Sequence, residues 1–162
     1  MQTATAPTRR LVAFGLLYAL SVIGSYIKVG PMSIALDSAP GFLAALAMGP
    51  GPGALICALG HLTVALLTGF PLTPPFHLAV AVTMAGVGAL GGFTAARFGR
   101  WAGAAVLVAA NGVAAPAVLS LLPNPMGRGL FAALLVPLLL GAGVNAVIAA
   151  VAAKGLKSGV QL

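Results

Sequence analysis

No charged side chain occurs over 59 consecutive positions, 38–96, between Asp37 and Arg97. As one helix rising 1.5 Å per residue this run would be about 90 Å long, roughly three times a bilayer core. It must therefore fold back. Gly and Pro mark the breaks, first at Gly49-Pro50-Gly51-Pro52-Gly53 and again at Gly69-Phe70-Pro71-Leu72-Thr73-Pro74-Pro75. Further apolar runs cover Leu11–Ile27, Trp101–Leu122 and Gly129–Ala153. The pattern predicts six helices, over about 9–28, 36–48, 52–68, 75–98, 101–122 and 128–154. They form one all-α transmembrane domain, 9–157, between a disordered cytoplasmic tail, 1–8, and a C-terminal tail, 158–162.

The 36–48 segment is short. Thirteen residues rise about 20 Å, less than the usual span of about 20 residues, so a tilted, re-entrant or interfacial helix is an alternative to a crossing one. Charge decides for crossing. Arg9 and Arg10 precede the first helix, Arg97 and Arg100 follow the fourth, and Lys154 and Lys157 end the sixth. Six crossings put all six cations on one side and leave only Lys28 and Arg128 opposite, whereas five would scatter them. The positive-inside rule then makes both termini cytoplasmic. Pro116 predicts a kink in the fifth helix, and Trp101 falls at the inner interface.

Composition agrees and narrows the chemistry. Hydrophobic residues make up 60% of the 162 positions and charged residues 6%, against about a quarter charged in soluble domains. Eight Lys and Arg face a single acid, Asp37. The basic residues flank apolar runs rather than clustering with aromatics, which argues for a membrane and against nucleic acid. One carboxylate excludes acid–base pairs and carboxylate-rich metal sites, and no GxxxxGK[ST] loop is present for ATP. The lone Cys57 excludes an internal disulfide and a cysteine-based zinc site, and His61 and His77 are too few imidazoles for a metal. No catalytic residues, metal or cofactor are assigned. A Cys57–His61 pair one turn apart is the one conceivable nucleophile, without a third orienting group.

Polar groups inside a membrane are costly and are functional candidates for that reason. The outer connections bring together Lys28, Ser33, Asp37 and Ser38 from the first, Thr68, Phe70, Phe76 and His77 from the second, and Asn124 and Arg128 from the third. His61 lies deeper in the third helix, seven residues before Thr68 and on its face. Asp37 either pairs with Lys28 or receives donors from a ligand. His61 either bonds a neighbouring helix or floors a pocket. Asn111 and Asn145 sit mid-helix and predict interhelical hydrogen bonds. Small residues mark close helix contact: Gly15-x3-Ala19 on the first helix and Gly141-x3-Asn145-x3-Ala149 on the sixth are either internal packing or faces for a partner.

The run Ser33-Ile34-Ala35-Leu36-Asp37-Ser38-Ala39-Pro40-Gly41-Phe42-Leu43-Ala44-Ala45-Leu46 is followed by Gly49-Pro50-x-x-Gly53-Ala54. Ala58-Leu59-Gly60-His61-Leu62 and Gly69-Phe70-Pro71-Leu72 come next. In this order they resemble the substrate-binding S components of energy-coupling factor (ECF) vitamin transporters, over about 10–154. The resemblance implies a six-helix subunit in the cell membrane that captures a vitamin at the outer face. A membrane coupling (T) subunit and two cytoplasmic ATPases complete such a transporter, and the S component topples to deliver its ligand. Such subunits dock through small residues on the first helix, often Ala-x3-Ala. Gly15-x3-Ala19 matches that in kind, while Ile23 occupies the next step.

Within the family, the Asp37–Gly41 and Gly60–Leu72 segments look most like the S component for α-ribazole, a dimethylbenzimidazole nucleoside salvaged as a cobamide precursor. That resemblance implies that Phe70 and Phe76 stack on the flat ring, that Asp37, Ser38 or Asn124 take ribose hydroxyls, and that His61 or His77 meets a ring nitrogen. Riboflavin, pantothenate and niacin carriers share the outline. Outside the family, the same chain reads as a stand-alone secondary carrier or channel, for which 162 residues without an internal repeat are short.

Overall fold

The computed structural model describes residues 6–29 and 34–159, without the side chains of 28, 29, 34 and 156–159. Helix α1 (Ala6–Gly24) leads into a small antiparallel hairpin, β1 (Lys28–Val29) and β2 (Ile34–Ala35), in which Lys28 pairs with Ala35. Then follow α2 (Ser38–Met48), α3 (Pro50–Leu67) and α4 (Pro74–Phe98). The next span comprises α5 (Arg100–Ala109), a π-helical turn (Ala110–Ala114) and α6 (Ala115–Ser120), and α7 (Gly129–Gly159) closes the chain. Five of these units are long and apolar enough to cross a membrane, and α2 is a shorter apolar helix among them.

Several boundaries differ from those the pattern predicts. Helix α1 begins at Ala6, inside the expected 1–8 tail, and α7 runs to Gly159, past the predicted helix end at 154 and the domain end at 157. The end of α1 changes too, at Gly24 rather than 28. The chain leaving β2 crosses directly over Gly24, where a Cβ would lie 2.5 Å from the Leu36 carbonyl oxygen. Leu36 N–H also donates to the Gly24 carbonyl at 3.1 Å and to Ile27 at 3.2 Å, so a tertiary crossing ends the helix. Only glycine permits so close a backbone approach.

The Gly-Pro segment is a tighter turn than its five breakers suggest. Gly49 alone, at φ 101°, separates α2 from α3, and Pro50 occupies the first helical turn, where its missing N–H costs nothing. Gly99, at φ 90°, joins α4 to α5 in the same way. The opposite end carries the three longer connections. Among them, Thr73 caps α4 by accepting the Phe76 N–H at 3.3 Å. At the closed end Arg97 and Arg100 lie over the rings of Phe98 and Trp101, at 5.9 and 5.8 Å.

The kink expected from Pro116 takes the form of a π turn. Proline offers no N–H and its ring collides with the carbonyl four residues back. The ladder widens to accommodate it, and Ala115 N–H reaches back five residues to the Ala110 carbonyl.

Short α2 is the centre of the bundle. Phe42, Ala44, Ala45 and Leu46 are buried on it, against α3, α4 and α7. In lipid there is little hydrophobic drive between helices, so fit and small side chains do the holding. Gly53 lies against Ala45, and Gly88 against the Gly53 backbone, with a Cβ at Gly88 only 2.5 Å from the Gly53 carbonyl oxygen. Gly88→Ala must push α4 off α3, at a cost of about 1–3 kcal/mol or more. Thermal unfolding in detergent should show a clearly lowered midpoint, with Gly86→Ala, where a Cβ meets nothing within 4 Å, close to wild type. Large apolar side chains such as Leu16, Leu20, Leu66, Val82 and Phe93 face outward, where a bilayer would cover them.

The small-residue stripe of α7 turns inward, which corrects the reading of it as a partner face. Asn145 and Ala149 are buried together with Ala142, Ala146, Ala150 and Ala153, and Gly141 is half-buried. Asn145 instead ties the bundle together. Its Oδ1 accepts the Ala39 N–H at 2.8 Å, one of the orphan donors at the start of α2. Its Nδ2 donates to the Ala35 carbonyl at 2.9 Å and to Gly141 at 2.8 Å. Gly15 and Ala19 on α1 do face outward.

Candidate functional site

A cavity of about 250 Å³ lies between the helices, beneath the α3–α4 connection. Its two sides differ chemically. Leu72, Phe76, Val80, Met84, Leu119, Leu134 and Leu138 supply aliphatic and aromatic surface, while Ser21, Asp37, Ser38, His61, His77 and Asn111 supply polar groups. Among the described residues its lining holds one acid and no Lys or Arg.

Asp37 and Ser38 reach this cavity because Asn145 and Ser21 fix the start of α2. Ser21 Oγ donates to the Asp37 carbonyl at 2.6 Å, and Gly60 leaves room for Ser21. The carboxylate itself does not cap α2. Its side-chain partner is the Ser38 hydroxyl, which donates to Oδ1 at 3.3 Å, and the backbone N–H groups of Asp37 and Ser38 also favour its charged form. Asp37 precedes the helix, and burial holds its carboxyl above the ordinary carboxylate range, against the opposing bond from Ser38.

The two histidines meet. His61 Nε2 and His77 Nδ1 are 3.1 Å apart, and the rings stack at 5.3 Å between centroids. The Leu72 N–H points at His77 Nε2 at 3.4 Å. With both imidazoles neutral, one proton arrangement satisfies both contacts. His77 accepts at Nε2 and donates from Nδ1, and His61 accepts at Nε2 and carries its proton on Nδ1. The chain Leu72–His77–His61 thus links the α3–α4 connection to the cavity wall. Phe70, at φ 50°, tilts its ring against His77 with 5.7 Å between centroids.

Of the residues singled out in the sequence, Asp37, Ser38, His61, Phe76 and His77 line the cavity, and Phe70 packs on it through His77. Three lie elsewhere. Thr68 is exposed and bonds the Val64 and Ala65 carbonyls behind it. Asn124 closes its own turn, accepting the Met126 N–H at 2.9 Å and donating to Leu122 at 2.8 Å. Arg128 borders a shallow surface depression beside Phe131. Ser33 and the Lys28 side chain fall outside the described residues, and so does any pairing of Lys28 with Asp37. Sequence reasoning missed Ser21, Thr83, Asn111 and the aliphatic wall. Asn111 carried a signal as an amide within an apolar helix, but it makes no interhelical bond among the described residues and faces the cavity instead.

Such a site can enclose a small molecule that is flat and apolar on one side and hydrogen-bonding on the other. No curated protein and no solved structure gives a match. The family comparison does, with the ECF transporter substrate-specific components over residues 9–156. That family consists of transport components rather than enzymes, and a cavity enclosed by apolar helices suits it. Since the match spans nearly all of the bundle, the chain belongs to the family of ECF transporter substrate-specific components.

Proposed function

We propose that this chain captures α-ribazole at the outer face of the cell membrane for ATP-driven uptake. The observation that carries the reading is the cavity's division into an apolar wall and a polar wall with no described cation. A neutral nucleoside suits it, its dimethylbenzimidazole ring against Phe76 and the leucines and its ribose toward Asp37, Ser38 and His61. Pantothenate and niacin bring carboxylates, and an anion desolvated beside Asp37 finds no counter-charge among the described lining residues, which disfavours it. The volume, below the roughly 300–1,000 Å³ of common ligand sites, suits a precursor better than a complete cobamide.

The partners in this reading are a T subunit and two cytoplasmic ATPases, and the chain itself uses no cofactor. Both termini are cytoplasmic, which puts Arg9, Arg10, Arg97, Arg100 and Lys154 inside, in line with the positive-inside rule. The T subunit docks on α1, where Gly15 is exposed and a Cβ would meet nothing within 4 Å.

Calorimetric titration of the purified protein in detergent tests the ligand. Saturable one-to-one binding of α-ribazole in the nanomolar to low micromolar range is expected, with no heat from pantothenate or niacin. Riboflavin binding in its place would keep the transport role and replace the ligand. Uphill uptake by the chain alone in proteoliposomes, without ATP, would instead make it a secondary carrier.

A further inference from the structure

Asn111 is 6% exposed and lines the cavity, and its side-chain amide has no hydrogen-bond partner among the described residues. Buried amides are otherwise paired in this bundle, as Asn145 shows with three bonds. Among the described residues the enclosed side-chain atom without a partner is Arg100 Nε, so the Asn111 amide opens onto the cavity, where its partner is a molecule held there rather than the chain. The backbone explains how it comes to face the cavity. Asn111 is the second residue of the π turn, Ala110–Ala114, that precedes Pro116. A π turn winds less per residue than an α turn, so it changes which residues face inward, and such turns are frequent at functional sites. Ala115, at the end of the same turn, lines the cavity too.

We propose that Asn111 is a specificity-determining ligand contact, turned into the cavity by the π turn at Pro116, which reads a neutral group able both to donate and to accept a hydrogen bond. Its amide offers one carbonyl acceptor and two N–H donors. A hydroxyl or a lactam-type edge matches both, whereas a carboxylate can only accept. The inference rests on the reading of this cavity as the substrate site, but not on the identity of the substrate.

The test combines ligand-free thermal unfolding in detergent with titration of α-ribazole, riboflavin, pantothenate and niacin. Asn111→Leu should melt at or above the wild-type temperature, because it removes an unpaired amide and keeps a similar shape. Its affinity for the compound that wild type binds should fall about ten- to a hundredfold. Pro116→Ala, which restores the missing N–H, should also weaken binding although Asn111 is intact. Unchanged affinity in Asn111→Leu overturns the inference alone and leaves the transport reading in place. A fall in melting temperature as large as that of Asn145→Leu overturns it too, by making Asn111 a structural amide. If wild type binds none of the four compounds, the ligand reading of the cavity and this inference fall together.

Discussion

Substitution of Asp37 by alanine is expected to weaken ligand binding on the order of a hundredfold. Asp37 is the only acid in the chain and lies on the cavity, held locally by one long side-chain bond from Ser38 and by backbone N–H groups of Asp37 and Ser38. Its remaining acceptor capacity is available to donors from a ligand, and bonds to a charged group contribute about 1.5–3 kcal/mol. Asp37→Asn keeps the shape and one acceptor oxygen, so it should bind between wild type and Asp37→Ala. Calorimetric titration of the three proteins checks the order, and equal affinities would remove Asp37 from the site.

The same carboxyl makes a prediction about pH. Burial raises its pKa above the unperturbed 3.8. Above that value the unfolded chain has lost a proton that the folded chain still holds, so folding stability declines as pH rises toward the folded-state value. Asp37→Asn cannot titrate. Ligand-free Asp37→Asn should therefore gain in melting temperature relative to wild type as pH is raised from about 4 to 7. A constant difference across that range would show that the carboxyl is not held above its ordinary value.

The largest loss of stability is expected from Asn145→Leu. It leaves the Ala39 N–H and the Ala35 carbonyl without their partner at the point where β2 turns into α2. Each buried group so stranded costs about 1–3 kcal/mol, and leucine adds volume beside Ala146 and Ala149, which are almost fully buried. Together these amount to several kcal/mol, a large fraction of the roughly 5–15 kcal/mol typical of a whole domain. Thermal unfolding should show a lowered midpoint and a broadened transition. Asn124→Leu, in the turn between α6 and α7, should lose far less.

These predictions use residues whose importance is partly legible from sequence. The helices follow from uncharged runs cut by Gly and Pro, because a bilayer leaves few alternatives for the backbone. The hairpin at 28–35 is not legible, since the end of α1 depends on Leu36 crossing Gly24 from outside the helix. The site divides along the same line. Asp37, His61 and His77 stand out as rare polar groups in apolar surroundings. Asn124 and Thr68 look equally polar but satisfy themselves within their own turns. Asn111 and Asn145 are the same residue type in similar helices. Only the packing shows that one bonds α2 and the other faces a cavity.

Gly49 and Gly99 act as fulcra. Helices joined through a single residue cannot slide past one another at that end, so their relative motion reduces to a change of angle. For α3, 18 residues long, the lever arm is about 27 Å, and a tilt of a few degrees moves its far end about 2 Å. Displacement is thus smallest at the sealed end and greatest around 68–73 and 121–128, at the mouth of the cavity. A bundle hinged this way has its greatest freedom to open at the end that carries the cavity, and the least at the end closed by Gly49 and Gly99.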